Sequence, residues 1–199
     1  MLSYAIKMST TLTPYDVCAK AKKAQKRLPK LEPIIMQDSL SAYWSYHYAC
    51  NVIKGRWPEA EPNIMQNAQY AYWYARYIMQ ERWLEAELVI AQDAEYAYLY
   101  TLHIIKGRWL EAEPNIMKNT WYACCYALDV IKDRWLEAEE IIAQSDTCTQ
   151  RYTNEFFEEH TVTKDQIGTL MWTHINPLGY FAPASLFENK VSLLDMVIE

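Results

Sequence analysis

The stretch Gly55-Arg56-Trp57-Pro58-Glu59-Ala60-Glu61-Pro62-Asn63-Ile64-Met65-Gln66-Asn67 returns twenty-six residues later as Glu81-Arg82-Trp83-Leu84-Glu85-Ala86-Glu87. It returns again from Gly107 and again from Asp133. The Arg-Trp pairs at 56–57, 82–83, 108–109 and 134–135 are each 26 residues apart, and each is followed by Glu-Ala-Glu at the same offset. A decayed copy, Arg27-Leu28-Pro29-Lys30-Leu31-Glu32-Pro33-Ile34-Ile35-Met36, lies 29 residues before its successor. A fixed period of this length marks a repeat architecture, in which one supersecondary unit is stacked on the next.

Each unit reads as two short helices. The first follows Asn67, Asp93, Asn119 or Ser145, residues whose side chains accept hydrogen bonds from the open N–H groups of a first turn. It spans roughly 68–80, 94–106 and 120–132, and ends near Gly55, Glu81, Gly107 and Asp133, where glycine suits a left-handed C-terminal residue. The second begins after Trp57, Trp83, Trp109 and Trp135. Pro58 suits its first position, whereas Pro62 and Pro114 require either a later start or an irregular first turn.

Comparing the units separates what stacking demands from what it leaves open. In the first helix one stripe holds Tyr70, Tyr74 and Ile78, with Tyr96, Tyr100, Ile104 and Tyr122, Tyr126, Val130 as equivalents. An adjoining stripe holds Ala71, Ala75 and Met79. In the second helix Trp83, Ala86 and Ile90 share a face. These stripes are expected to form a continuous core between stacked units. A row of stacking platforms for bases or proline-rich peptides is the functional alternative.

The remaining sector of the first helix changes from unit to unit. It carries His47, Trp73, Leu99 and Cys125, then Arg76, Leu102 and Leu128, then Tyr77, His103 and Asp129. These are the candidate partner-binding residues. Two readings stand: an apolar strip facing solvent as an interface, or a face covered by neighbouring helices or the C-terminal segment. Arg56, Arg82, Arg108 and Arg134 run parallel to Glu61, Glu87, Glu113 and Glu139 and are expected to pair with them, each exposed pair contributing on the order of 0–1 kcal/mol.

The chain of 199 residues has a net charge of −6, 16 tyrosines and eight tryptophans; its four glycines, with abundant Ala, Leu, Glu and aromatics, favour helices over a turn-rich β fold. The charge is uneven: residues 1–55 carry eight Lys or Arg against three Asp or Glu, and residues 134–160 carry two against seven. The basic end holds Lys20, Lys22, Lys23, Lys26 and Arg27, candidate anion contacts or a solvated cap. The acidic balance of the whole argues against general nucleic-acid binding, and that option survives only at this end. The two ends also suit a head-to-tail homo-oligomer.

No 18-residue apolar run and no signal-peptide pattern stand in the chain, so a soluble cytoplasmic protein with no membrane association is expected. The cysteines Cys18, Cys50, Cys124, Cys125 and Cys148 form neither a disulfide framework nor a ligand set, and His47, His103, His160 and His174 have no partner at metal-ligand spacing. No phosphate loop or nucleophile elbow is present. No cofactor, metal or catalytic residue is assigned.

The resulting expectation is an all-α chain: an α/α solenoid of 26-residue two-helix repeats. Its parts are a basic capping helix in 1–26, the array in 27–144, a degenerate capping helix in 145–160, and a non-repeat extension in 161–199. That extension has room for short strands around Thr169–Thr173 and Tyr180-Phe181.

The segment from Gly55 to Asn67, with Tyr70-Ala71-Tyr72-Trp73-Tyr74-Ala75 after it, resembles the Gly-Arg-Trp-Pro-Glu-Ala-Glu-Pro helical repeats of bacteriophage and giant-virus proteins. The resemblance covers roughly residues 27–144 and carries no site residues. It implies a viral protein acting in a host cytoplasm, with a host protein, such as a defence component, as partner.

Overall fold

In a computed structural model of the protein, residues 11–157 are described. Residues 1–10 and 158–199, with the expected extension, His160 and His174, lie outside them. The described residues are helical, without strands, and fall into two compact units divided after Trp135.

The first unit opens with α1 (Pro14–Ala24). Thr13 caps it through a reciprocal pair: the Thr13 hydroxyl accepts from the Asp16 backbone N–H, and the Asp16 carboxylate accepts from the Thr13 N–H. Then follow α2 (Glu32–Met36), α3 (Ser41–Tyr48), α4 (Glu61–Ile64), α5 (Ala68–Tyr74), α6 (Leu84–Ile90), α7 (Ala94–Tyr100), α8 (Glu113–Ile116) and α9 (Thr120–Tyr126). The expected caps are in place. Asn67 Oδ1 accepts from the Tyr70 N–H at 3.2 Å, Asp93 Oδ1 from Glu95 and Tyr96, and Asn119 Oδ1 from Trp121 and Tyr122.

The prolines account for a difference among the second helices. In α6, where Leu88 stands, the helix is continuous from Leu84. Pro62 and Pro114 cannot donate to a preceding turn, so α4 and α8 begin only at Glu61 and Glu113, with the proline in the first turn. A 3-10 turn, Pro58–Ala60, precedes α4.

The ends of the first helices depart from the sequence expectation. After Tyr48, Tyr74, Tyr100 and Tyr126 each α-helix widens into one π-helical turn: Ala49–Ile53, Ala75–Met79, Thr101–Ile105 and Ala127–Ile131. The next N–H reaches back five residues, as from Lys54 to the Ala49 carbonyl at 2.7 Å. The left-handed residues are Lys54, Gln80, Lys106 and Lys132, with φ of 57°, 60°, 59° and 57°. They are not Gly55, Glu81, Gly107 and Asp133. The wide turn delivers the reversal one residue earlier.

The core follows the second-helix stripe as expected: Trp57, Ala60 and Ile64, with Trp83, Ala86, Ile90 and Trp109, Ala112, Ile116, are buried. In the first helices the buried positions are Ala71, Tyr74 and Ala75, with Ala97, Tyr100, Thr101 and Ala123, Tyr126, Ala127. Tyr70 and Ile78, expected beside Tyr74 in the core, are only half-buried, and Tyr72 is buried instead.

One hydrogen-bonded group recurs with the sequence period. The Tyr74 hydroxyl donates to Glu61 Oε1 (3.0 Å) and accepts from the Trp57 backbone N–H (2.6 Å), while Arg56 donates from Nε and Nη2 to both oxygens of Glu61 (3.0 and 3.1 Å). Tyr100, Glu87, Trp83 and Arg82 repeat this group, as do Tyr126, Glu113, Trp109 and Arg108. The decayed first copy keeps it through Tyr48, Glu32, Leu28 and Arg27. Each group joins the start of a second helix to the middle of the next first helix, and it satisfies an N–H that the helix itself leaves open. Burial raises the tyrosine pKa values, that of Tyr48 to about 12.

The second unit contains a 3-10 turn (Leu136–Ala138), α10 (Glu139–Ile142) and α11 (Asp146–Phe156). Ser145 caps α11, and the Tyr152 hydroxyl donates to Glu139 Oε1 at 3.1 Å. Tyr152 is buried as expected, whereas Phe156 and Phe157 are half-buried.

Candidate functional site

The variable sector of the first helices is a half-buried face knitted by polar and aromatic contacts. Its positions are set by the π-helical turns, which carry Arg76, Tyr77, Leu102, His103, Leu128 and Asp129. Arg76 donates from Nη1 to the Tyr72 hydroxyl at 2.7 Å, and its guanidinium lies 5.4 Å from the centre of the Tyr77 ring. The Tyr72 hydroxyl is also 2.9 Å from Nδ1 of His103, which is 2.9 Å from the Leu99 carbonyl. One step along the chain, the Tyr98 hydroxyl donates to Asp129 Oδ2 at 2.6 Å. Two of the variable polar residues, His103 and Asp129, therefore hold adjacent first helices together.

Rings reinforce the same seam. Tyr46–Tyr70, Tyr72–Tyr96 and Tyr98–Tyr122 pair at 5.9, 6.0 and 6.1 Å between ring centres, each 24 residues apart. Trp73 is half-buried against Tyr46 and Tyr70, at 5.6 and 5.7 Å. His47 lies half-buried against Tyr43 and Tyr46. Burial lowers the pKa of both histidines, and the charge of Arg76 lowers that of His103 further.

The face is thus neither wholly open nor wholly covered. Leu99, Leu102 and Leu128 are half-buried, Asp129 is exposed and Tyr77 is 57% exposed. Cys125 is buried at 6%, so it lies beneath this surface and not on it. Tyr72 and Tyr98 were missed in reading the sequence. Their signal was a spacing of one period plus five residues to a polar partner, Tyr72 to His103 and Tyr98 to Asp129.

At the basic end, Lys20, Lys22, Lys23 and Lys26 are exposed. Lys22 and Lys23 occupy the last turn of α1, where cations complement the helix dipole. Arg27 is committed to Glu32 by two bonds, at 3.0 and 2.8 Å, and the guanidinium's pKa is raised by that bond.

A further set of exposed apolar side chains belongs to the second-helix segments. Leu88, Leu84 and Leu110 are 80%, 66% and 64% exposed, all on or next to second helices. Among the described residues no cluster of three or more His, Cys, Asp or Glu is placed to hold a metal, and no helix is long and apolar enough to cross a membrane. Comparison with protein-family models, curated proteins and solved structures found no match.

Proposed function

We propose that the chain is a non-catalytic, protein-binding α-solenoid whose partner face is the variable sector of the first helices. The observation that carries this reading is the division of labour within each repeat. The Arg-Glu-Tyr-Trp group returns with the period in the core, while the π-helical turns beside it present different side chains at each step: Arg76 and Tyr77, then Leu102 and His103, then Leu128 and Asp129. A scaffold held by invariant contacts leaves such positions open to selection by a partner. The resemblance of the repeat to bacteriophage and giant-virus sequences makes a host protein in the cytoplasm the natural partner, a defence component included.

The test is affinity capture from host lysate with the parent and a Tyr77→Ser/Leu102→Ser variant side by side. One protein retained by the parent and lost by a variant of unchanged melting temperature supports the reading. Equal retention by both overturns the assignment of this face.

A second reading rests on the four exposed lysines of α1 and its end: an anion contact for nucleic acid. Oligonucleotide binding that weakens steeply with salt and is lost in Lys22→Gln/Lys23→Gln/Lys26→Gln would favour it.

A further inference from the structure

The position after each repeat tryptophan is apolar in every clear unit (Pro58, Leu84, Leu110 and Leu136), yet none of these four is in the core. Within the first unit Leu84 and Leu88, one turn apart on α6, share a face. Leu110 stands at the equivalent place before α8. The Asn115 side-chain amide donates to the Ala91 carbonyl at 2.8 Å, which ties α8 to the C-terminal end of α6. The Arg82 pKa is raised chiefly by its hydrogen bond to Glu87, with a smaller contribution from the charge of Glu111, which is therefore within electrostatic reach of it. The three leucines therefore belong to one outer edge. Exposed leucines recurring along one edge make an apolar strip suited to contact with a partner.

Charge identifies the kind of contact. Arg82 and Arg108 are each matched by two hydrogen bonds, to Glu87 and Glu113. Glu85 and Glu111, next to Leu84 and Leu110, are exposed, and within residues 82–87 and 108–113 one arginine stands against two glutamates. An apolar row with an acidic border is complementary to an apolar row with a basic border. The same edge of a second copy would set glutamate against glutamate.

We propose that the Leu84–Leu88–Leu110 edge, bordered by Glu85 and Glu111, docks a basic amphipathic helix of another protein. Apolar anchors at helical spacing on the partner seat on the leucines, and lysines or arginines beside them meet the two glutamates. This surface is separate from the first-helix face and does not depend on it.

The probe is a synthetic helical peptide of about 18 residues, five turns, with leucine on one face and lysine on the other. Its twin carries glutamate for lysine. Both are titrated into the full chain by fluorescence anisotropy. The lysine peptide is expected to bind and the twin not to. L84S/L88S/L110S is expected to weaken binding at least about tenfold, a shift of about 1.4 kcal/mol. E85Q/E111Q is expected to weaken it several-fold and flatten its salt dependence, and Tyr77→Ser to leave it unchanged. Undiminished binding by the leucine variant, or equal binding of the twin, overturns the proposal. So does sedimentation in which the parent self-associates and L84S/L88S/L110S does not, since the edge would then join copies of this chain. Should the leucine variant melt early, E85Q/E111Q decides: unchanged affinity there also overturns it.

Discussion

The hydroxyl of Tyr74 accepts the backbone N–H of Trp57 at 2.6 Å, and this bond spans 17 residues. It joins the N-terminal end of a second helix to the middle of the next first helix. Both partners are buried, so nothing in the solvent can replace the bond.

Tyr74→Phe keeps the ring and removes only the hydroxyl. The Trp57 N–H loses its acceptor and Glu61 loses a donor, at a cost of about 1–3 kcal/mol. Arg56→Gln, at the half-exposed side of the same group, is expected to cost only about 0–1 kcal/mol. Denaturant unfolding of both variants measures the contrast, and equal losses would show that the ion pair, not the buried hydroxyl, holds the group.

Lys54 and Lys106 carry a β-carbon at φ of 57° and 59°, where L-residues other than glycine are strained. Lys54→Gly and Lys106→Gly should each raise stability by up to about 1 kcal/mol. Gly55 has an ordinary φ, and a methyl group there would meet nothing within 4 Å. Gly55→Ala should therefore be neutral or stabilise by about 0.4–1 kcal/mol, through the unfolded chain. Thermal melts of the three single variants check the order.

Ser45 is buried, its hydroxyl has no hydrogen-bond partner among the described residues, and the equivalent positions in later units hold Ala71, Ala97 and Ala123. Ser45→Ala removes the orphan group without opening a cavity and should stabilise the fold by about 1 kcal/mol. A lower melting temperature would mean that the hydroxyl does have a partner.

His47 and His103 both have pKa values held below the ordinary 6.5, His47 by burial, His103 by burial and then by Arg76. The unfolded chain takes up protons on these rings before the folded one does, so stability rises with pH through this range. It is full above about pH 6.5 and falls as the pH drops below that value, before the carboxylates titrate. His47→Gln/His103→Gln should flatten the denaturation midpoint between about pH 5 and pH 7, and an unchanged slope would rule out these two rings as its source.

Much of the molecule was legible in the amino-acid order. The 26-residue recurrence, the caps at Asn67, Asp93 and Asn119, the Trp-Ala-Ile stripe and the Arg–Glu pairs each depend on contacts within a unit or on identities that every unit repeats. Helical spacing determines which side chains share a face. It does not determine how that face is turned towards its neighbours. The π-helical turn after Tyr74 breaks the regular spacing that placed Ile78 in the core, and it moves the left-handed residue from Glu81 to Gln80, as the turn after Tyr48 moves it from Gly55 to Lys54. The links Tyr72 to His103 and Tyr98 to Asp129 reach from one first helix to the next, and the solvent-facing Leu84, Leu88 and Leu110 follow from where their helices lie. Such contacts are fixed only when two helices meet at a particular rotation and distance, and that was decided by the tertiary structure alone.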